Sequence, residues 1–283
     1  MRRKKTILTS VLLAACCAFP FYASGQPTAQ TSSANGADGM SETERRARQG
    51  DADAQLKLGL MYALGKGMRQ DYAQALHWLE LAAKQGHASA QFNLGVMYDE
   101  GKGVRQDHAQ ARHWYELAAK QGHASAQSNL GLMYDEGKGV RQDYAQARHW
   151  FELAAKQGHA SAQFNLGLMY DEGKGVRQDY AQARHWFELA AKQGHASAQF
   201  NLGMMYLNGD GVRQDYAQAR HWLELAAKQG EASAQFNLGV MYAKGEGVRQ
   251  DLSKAKDLFG RACDDGNQNG CDAYRKLNER GVR

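Results

Sequence analysis

The sequence predicts an all-α protein built as a solenoid, and three features support this prediction. A unit of 36 residues recurs six times without a change in length, starting at residues 51, 87, 123, 159, 195 and 231, and a seventh copy starts at residue 267. Both prolines, Pro20 and Pro27, precede the repeats, which are rich in Ala, Leu, Gln and Glu. Apolar residues recur within each unit at three- and four-residue spacing. A constant period of this length indicates stacked units, since one unit cannot bury its apolar side alone.

Composition and charge exclude two broad classes of protein. With 43% apolar and 23% charged residues among 283, the chain has enough apolar material for a core, which excludes a wholly disordered protein. The formal net charge is +5, but the four basic residues at positions 2–5 precede the repeats. Without them, 31 basic and 30 acidic residues remain. This balance argues against a protein that binds nucleic acid by neutralising phosphates.

Residues 1–25 predict an export signal, with a basic start and an apolar run over residues 7–21 that is too short and interrupted for a membrane span. Two processing sites compete. Cleavage after Gly25 would release a chain that starts at Gln26, whereas the segment ending in Cys16 is similar to a lipobox and would leave that cysteine lipidated. A short uncleaved anchor is the third alternative. We therefore expect an exported protein, periplasmic or secreted, whose one membrane tether would be a lipidated Cys16.

The remaining chain divides into four predicted segments. Residues 26–40 are small and polar, with one charge at Asp38, and predict a flexible linker. Residues 41–50 predict an N-terminal capping helix that begins with a capping box of Ser41 and Glu44. The six repeats occupy residues 51–266, and residues 267–283 predict a half-repeat that caps the other end.

Each unit predicts two helices joined by a glycine turn, as the second unit illustrates. Leu94 lies on the apolar stripe of a first helix, and Gly101 ends that helix, because glycine adopts the left-handed conformation of a helix stop at little cost. Asp107, with Gln110 three residues later, predicts a capping box at the start of a second helix. Gly95 would let the two helices approach closely. The tryptophans lie at helical spacing from core alanines and are predicted to pack in the core: Trp78, Trp114, Trp150, Trp186 and Trp222.

A set of small, aromatic and apolar positions recurs from unit to unit. In the second unit these are Leu94, Gly95, Tyr98, Gly101, Gly103, Val104, Ala111, Trp114, Ala118, Ala119 and Gly122. The pattern resembles the Sel-one-like repeat (SLR) family, relatives of tetratricopeptide repeats, over most of the chain from residue 51. The resemblance implies a right-handed α-solenoid whose first helices line a concave face. It also implies an adaptor function in the secretory pathway or bacterial envelope, and some periplasmic relatives are immunity proteins against secreted effectors.

The cysteines predict one covalent link. Cleavage after Gly25 would leave Cys263 and Cys271, and one pair in an oxidising compartment can close one disulfide. The end of the chain is similar to the cysteine-rich secreted branch of the same family, which implies a Cys263–Cys271 disulfide. That branch also implies an alternative function, penicillin binding or weak β-lactamase activity. Its members carry the pair in nearly every repeat, whereas this chain carries it once, so we interpret the pair as a staple on the last unit.

No residue pattern predicts a catalytic or metal site. Nine of the ten histidines occupy two positions of the repeat, and their spacing fits no zinc motif, so we expect them on a solvated face or in turns. Ser253 and Lys256 match the S-x-x-K of serine β-lactamases, but neither S-D-N nor K-T-G accompanies them, and we interpret the match as chance. We therefore expect no cofactor, no metal and no enzyme activity.

The best candidate binding residues lie on the side of the first helices that faces away from the apolar stripe. Phe would supply apolar contact there, and Asn would donate to and accept from an extended backbone, so we predict that a protein or peptide partner binds this side. Two alternatives stay open. The Phe side chains could instead pack between first helices while Asn satisfies turn carbonyls, or the surface could stack on a sugar or muropeptide. The predicted partner-binding residues are Phe92, Asn93, Asn129, Phe164, Asn165, Phe200, Asn201, Phe236 and Asn237.

Overall fold

The computed structural model describes residues 35–282. The predicted export signal, Cys16 and the linker before residue 35 lie outside the described residues. Within residues 35–282 the chain forms α-helices and no β-strand, which confirms the all-α prediction. Each helix packs against the helices before and after it in the chain, so the fold is a solenoid of helical hairpins.

Each repeat contributes a first helix and a second helix of 13 residues. The first helices are α2 (Ala52–Leu64), α4 (Ala88–Glu100), α6 (Ala124–Glu136), α8 (Ala160–Glu172), α10 (Ala196–Asn208) and α12 (Ala232–Lys244). The second helices are α3 (Tyr72–Lys84), α5 (His108–Lys120), α7 (Tyr144–Lys156), α9 (Tyr180–Lys192), α11 (Tyr216–Lys228) and α13 (Leu252–Asp264). Helix α1 (Asn35–Arg48) precedes them, and α14 (Gln268–Glu279) follows them.

Side-chain and glycine caps set the ends of these helices. Asp107 caps α5, and its carboxylate accepts a hydrogen bond from the N–H of Gln110 at 3.0 Å. The N–H of Asp107 itself donates to the carbonyl of Tyr98, so the reciprocal bond of the predicted capping box is not formed. Gly101 ends α4 in the left-handed conformation, at φ +69°. The predicted helix ends are therefore correct, and only half of the predicted capping box is present.

Within each repeat a glycine lets the two helices approach at one point. A Cβ atom added to Gly167 of α8 would lie 2.6 Å from Cδ1 of Phe187 on α9, well inside van der Waals contact. Gly95 has the same relation to Tyr115, also at 2.6 Å, as predicted for that glycine. Both rings are buried. The space left by the missing side chain on one helix is therefore filled by the ring of the other helix.

Tryptophans join each repeat to the repeat before it. Trp150 of α7 packs against buried residues of α5 and α6, and Trp186 of α9 packs against buried residues of α7 and α8. The prediction that the tryptophans pack in the core is confirmed. Their contacts place them at the junctions between repeats, where a large ring covers the apolar surface that one hairpin cannot bury by itself.

A set of glutamines adds hydrogen bonds at the same junctions. Buried Gln163 on α8 donates from Nε2 to the carbonyl of Ala155 on α7 at 3.1 Å. Its Oε1 accepts from Nε2 of Gln193, which follows α9, at 2.7 Å. We call these bonds and their equivalents the glutamine relay. The same two bonds recur at Gln55, Gln91, Gln127 and Gln199.

The glutamine relay changes its chemistry at the C-terminal end. Asp265 stands where earlier repeats have the second glutamine, and it accepts from Gln235 Nε2 at 2.8 Å. A carboxylate only accepts, so Oε1 of Gln235 is buried without a hydrogen-bond partner in the described part of the chain. One unit further on, Cys263 and Cys271 occupy the positions of Ala227 and Gln235. The cysteine pair therefore stands where the relay would place its next hydrogen bond.

Helix α1 begins earlier than the sequence predicts. It starts at Asn35, so Ser41 lies inside the helix and not at its cap, and residues 35–40 belong to α1 instead of the predicted linker. No proline interrupts this segment, so every backbone N–H needed to extend the helix is present. At the other end of α1, Ala47 is buried against Leu58 of the first repeat. This contact is the one that a capping helix needs in order to cover the first repeat.

Replacing Gly167 with alanine tests the close approach of the two helices. The added methyl would overlap the Phe187 ring, so we expect the free energy of unfolding, measured by urea denaturation, to fall by about 1–3 kcal/mol. Gly260→Ala is the matched control, because its added Cβ inside α13 would meet only the exposed ring of Tyr274, at 3.3 Å. There the helix preference of alanine should make the change neutral or stabilising. Equal losses of unfolding free energy in both variants would contradict the close approach of the two helices at Gly167.

Replacing Gln163 with leucine tests the glutamine relay. The substitution keeps the size of the side chain but removes the two bonds that Gln163 makes, to the Ala155 carbonyl and to the Gln193 amide, so we expect a loss of about 1–3 kcal/mol in the free energy of unfolding. The Ala155 carbonyl keeps its bond from the N–H of Gly158. Gln182→Leu on the exposed side of α9 is the matched control and should stay within about 0.5 kcal/mol of the unmodified chain. If the two variants unfolded at the same urea concentration, the glutamine relay would not contribute to stability.

Candidate protein-binding face

The predicted binding residues lie on one side of the solenoid, which we call the first-helix face. It consists of the sixth, seventh and tenth residues of the units on α4, α6, α8, α10 and α12. All nine predicted residues are partly exposed. Aliphatic residues at the tenth position, such as Leu168 and Met204, are partly exposed beside them. The face is therefore a mixed surface of rings, amides and aliphatic side chains.

The phenylalanines of this face pack between consecutive repeats. The ring of Phe164 stacks on His195 with ring centroids 4.7 Å apart and lies 5.8 Å from Phe187. The ring of Phe92 stacks on His123 in the same way, also at 4.7 Å. On one side these rings pack between helices, as the structural alternative predicted, and on the other side they stay exposed. Contact with two repeats holds each ring in a fixed orientation.

The asparagines of this face use part of their hydrogen-bonding capacity inside the protein. Asn93, Asn201 and Asn237 each donate from Nδ2 to the carbonyl four residues earlier in the same helix, at 2.7 Å. These are helix carbonyls and not the turn carbonyls that the alternative predicted. Asn129 instead hydrogen-bonds to the hydroxyl of Tyr115. An amide has two donor hydrogens and one acceptor oxygen, so each of the first three residues keeps one N–H and its oxygen for a partner.

The row of rings is interrupted at its centre by Ser128. This residue is 2% exposed. Serine leaves out the ring that the sixth position carries in the units on either side. The neighbouring Tyr115 is buried, and burial together with the charge of Asp99 raises the pKa of its hydroxyl far above the ordinary value. The tyrosine therefore stays neutral, although its hydrogen bond from Asn129 opposes this shift.

Acidic residues at the ends of the first helices are paired with basic side chains. Asp99 lies 3.0 Å from Lys138 Nζ and 2.9 Å from His108 Nδ1. Glu172 lies 2.8 Å from Lys174. These pairs offset part of the negative charge at this edge of the face. The face thus combines rings and amides with a partly neutralised acidic edge.

The row of Phe and Asn ends at Phe236. In α14 the equivalent sixth, seventh and tenth positions carry Asp272, Ala273 and Lys276. Together with Phe236 and Asn269, they line a groove of about 390 Å³. Charged side chains replace the ring and the aliphatic residue in the terminal half-repeat, as a solenoid cap requires for an outer surface in water.

The histidines have two structural roles, one of which sequence reasoning missed. His113 and its equivalents on the second helices are exposed, as expected. The histidines that open the units are N-caps, and His159 Nδ1, for example, accepts from the N–H of Ala162 at 3.3 Å. The sequence did carry a signal for this role, since Asp51 and Asn267 occupy the equivalent positions in the first and last copies and are ordinary cap residues. The capping histidines are His87, His123, His159 and His195.

Within the described residues, no group of three His, Cys, Asp or Glu side chains is placed to hold a metal ion. The S-x-x-K match is also unsupported, because Ser253 is exposed and Lys256 donates to the carbonyl of Val282 at 2.6 Å. Over the same range, none of the helices is long and apolar enough to cross a membrane.

A stack of near-identical hairpins with a recurring, partly exposed side defines the chain as an α-solenoid of the scaffold class. The chain belongs to the Sel1 repeat family. The Sel1 repeat profile matches residues 52–87, 88–123, 124–159, 160–195, 196–231 and 232–267, which confirms both the resemblance and the six copies. Proteins of this family are generally non-catalytic scaffolds that mediate protein–protein interactions.

Solved structures support the same assignment. A protective antigen of uropathogenic Escherichia coli with an SLR fold is 40% identical, with a TM-score of 0.81 over 87% of this chain and 53% of the antigen. The chain thus spans about half the length of that protein. A Sel1 repeat protein from Oxalobacter formigenes is 31% identical, with a TM-score of 0.70 over 81% of this chain and 97% of that protein. A comparison with curated protein sequences gives no match.

Cys263 and Cys271 lie where the predicted staple requires. Cys263 is in α13 and Cys271 is in α14, with their sulfur atoms 1.97 Å apart and their Cα atoms 4.5 Å apart. The Cα separation falls within the range of about 4.4–6.8 Å that disulfides show. A link at this point would tie the last helix, which has no repeat beyond it within residues 35–282, to the helix before it.

We expect the exported protein to carry this disulfide. Alkylation without reduction, followed by peptide mass spectrometry, should find neither cysteine modified. The double variant Cys263→Ala/Cys271→Ala should lose about 2–3 kcal/mol in the free energy of unfolding, because the link closes a short loop in the unfolded chain. A reductant should destabilise the unmodified protein and leave the double variant unchanged. Two alkylated cysteines in protein recovered from outside the cytoplasm would contradict the prediction.

Proposed function

We propose that this chain is an exported, non-catalytic scaffold that binds an extended segment of a partner protein along the first-helix face. The observation that carries the proposal is the recurrence of a partly exposed Phe ring and a partly exposed Asn amide at the same two positions of successive repeats. A ring such as Phe164, already held by His195 and Phe187, offers contact area to a partner without losing further side-chain freedom.

The asparagines suit the backbone of such a segment. An extended chain presents N–H and C=O groups at regular intervals, and Asn93, Asn201 and Asn237 each keep an oxygen acceptor and one N–H donor. The amides of Asn93, Asn201 and Asn237 are fixed by their bonds to helix carbonyls, so their free atoms point in a constant direction. Recognition would combine backbone hydrogen bonds with apolar side chains of the partner seated against the Phe rings.

The proposal of export, the immunity function and the penicillin-binding function each rest on different observations. The proposal of export, to the periplasm or beyond, rests on residues 1–25, and a lipidated Cys16 would add a tether to the envelope. An immunity protein against a secreted effector would also act by binding a protein, so the binding experiment below applies to it as well. Penicillin binding or weak β-lactamase activity rests only on the resemblance of the Cys263–Cys271 pair to the cysteine-rich branch, and Lys256 of the S-x-x-K match is bonded to the carbonyl of Val282.

Selection of a displayed random peptide library against the purified chain tests the proposal without assuming a partner. We expect peptides rich in apolar side chains to be enriched. Their affinity should fall about tenfold or more for the variant Phe164→Ser/Asn165→Ala, because a buried aromatic contact and a backbone hydrogen bond are lost together. The third and fourth units differ only at Ser128 and Phe164, so Phe164→Ser creates a repeat that the fold already contains.

The matched control is Gln182→Ala/His185→Ala, which changes two exposed residues on the second helix of the same repeat. This variant should bind the selected peptides with unchanged affinity. Circular dichroism should show the same helix content in all three proteins. The proposal fails if no peptide is enriched, or if the selected peptides bind the Phe164→Ser/Asn165→Ala variant as tightly as the unmodified chain.

A further inference from the structure

The histidine caps of the first helices depend on the protonation state of the ring. In His123, His159 and His195, Nδ1 accepts a hydrogen bond from the backbone N–H three residues later, at 3.3 Å. An imidazole nitrogen accepts only when it carries no proton, so the cap exists only on the neutral ring. A positive charge at this end of a helix is also opposed by the helix dipole. Protonation therefore removes the cap and places a charge where the helix disfavours it.

His87 is a fourth cap of the same kind, but its surroundings differ. Its Nδ1 accepts from Ala90 at 3.4 Å, while its Nε2 lies 2.9 Å from the carboxylate of Asp53. The Asp53 carboxylate gives Nε2 of this ring a charged hydrogen-bond partner, which compensates for a lost cap. His87 therefore does not belong to the same set as the other three capping histidines.

The other three rings lack this compensation. Burial lowers the pKa of His123, His159 and His195 below the ordinary histidine value, and the histidine one repeat earlier lowers it further in each case. Phe92 and Phe164 stack on two of these rings, and an aromatic face attracts a cation. This attraction opposes the effect of burial at those two rings.

We propose that His123, His159 and His195 form an acid-sensitive set of caps that holds the middle of the solenoid together at neutral pH and releases its first helices as the pH falls. Because Phe92 and Phe164 stack on two of these rings, the same change would loosen the first-helix face. A scaffold of this kind would hold a partner at neutral pH and release it in an acidic surrounding. The acid sensitivity itself does not depend on the proposed binding function.

The direction of the effect follows from proton linkage. A histidine whose pKa is lower in the folded chain binds its proton more readily when unfolded. Its stabilising contribution is therefore complete above the unfolded value, about pH 6.5, and is lost as the pH falls through the folded value. Each histidine shifted by one pKa unit contributes a factor of about ten to the unfolding constant. Carboxylates with a lowered pKa, such as Asp51, act at more acidic pH and stay outside this window.

Urea denaturation of the purified chain between about pH 7.5 and pH 5 tests the proposal. The test variant is His123→Asn/His159→Asn/His195→Asn. Asparagine caps a helix without titrating, as Asn267 does at the start of α14, where its oxygen accepts from Gly270 at 3.0 Å. We expect the unfolding constant of the unmodified chain to rise about tenfold or more over this range, and that of the variant to rise less than about threefold.

The matched control is His113→Asn/His149→Asn/His185→Asn, which removes the same number of histidines from exposed positions on the second helices. This protein should keep the pH response of the unmodified chain. Equal responses of the unmodified chain and the capping variant would overturn the proposal, as would loss of the response in the control.

NMR of the histidine rings in the unmodified chain tests the acid-sensitive caps even if the capping variant does not fold. At neutral pH the three capping rings should carry their proton on Nε2. Their pKa values should lie below the ordinary histidine value of about 6.5. Titration midpoints at or above that value would overturn the proposal.

Discussion

The fold depends on the buried glutamine of each first helix, because its side chain hydrogen-bonds to two neighbouring segments at once. Gln163 donates to the end of α7 and accepts from the glutamine that follows α9. A first helix that rotated or slid would break both bonds, and a buried amide without partners is costly. The same pair of bonds therefore fixes the same register in successive repeats. That register is what aligns the Phe and Asn residues of separate helices into one face.

The first-helix face follows from how the core is packed. The glycine at position nine of each unit leaves room for a side chain of the second helix, and where that side chain is a ring, the exposed Phe packs on it. The N-cap of the next repeat supplies the other contact of the Phe ring. Ser128 shows how closely the face depends on these contacts, because without a ring the sixth position of α6 is buried and adds nothing to the face. The C-terminal units replace repeated features by unique ones, an aspartate in place of a glutamine and a cysteine pair in place of an alanine and a glutamine.

The sequence predicted most of the fold because the signals for it are local. The period, the glycine stops and the aspartate caps all act within a few residues. The glutamine relay was missed, since its two glutamines lie 30 residues apart and a glutamine within an apolar stripe carries no local sign of its bonds. The histidine caps were missed because histidine is not a preferred cap residue and its repetition drew attention to metals. Helix α1 starts early where glycines make the local preference weak. Export and lipidation of Cys16 stay predictions.

The central claim is that register fixed in the core creates a binding surface on the first helices and not on the second helices. Hydroxyl-radical footprinting with a bound peptide tests it residue by residue on the whole chain. The account predicts that oxidation slows at Phe92, Phe164, Phe200 and Phe236, while His113, His149 and His185 on the second helices react at the same rate as in the free chain. Protection of those histidines, with the Phe rings reacting at an unchanged rate, would contradict it.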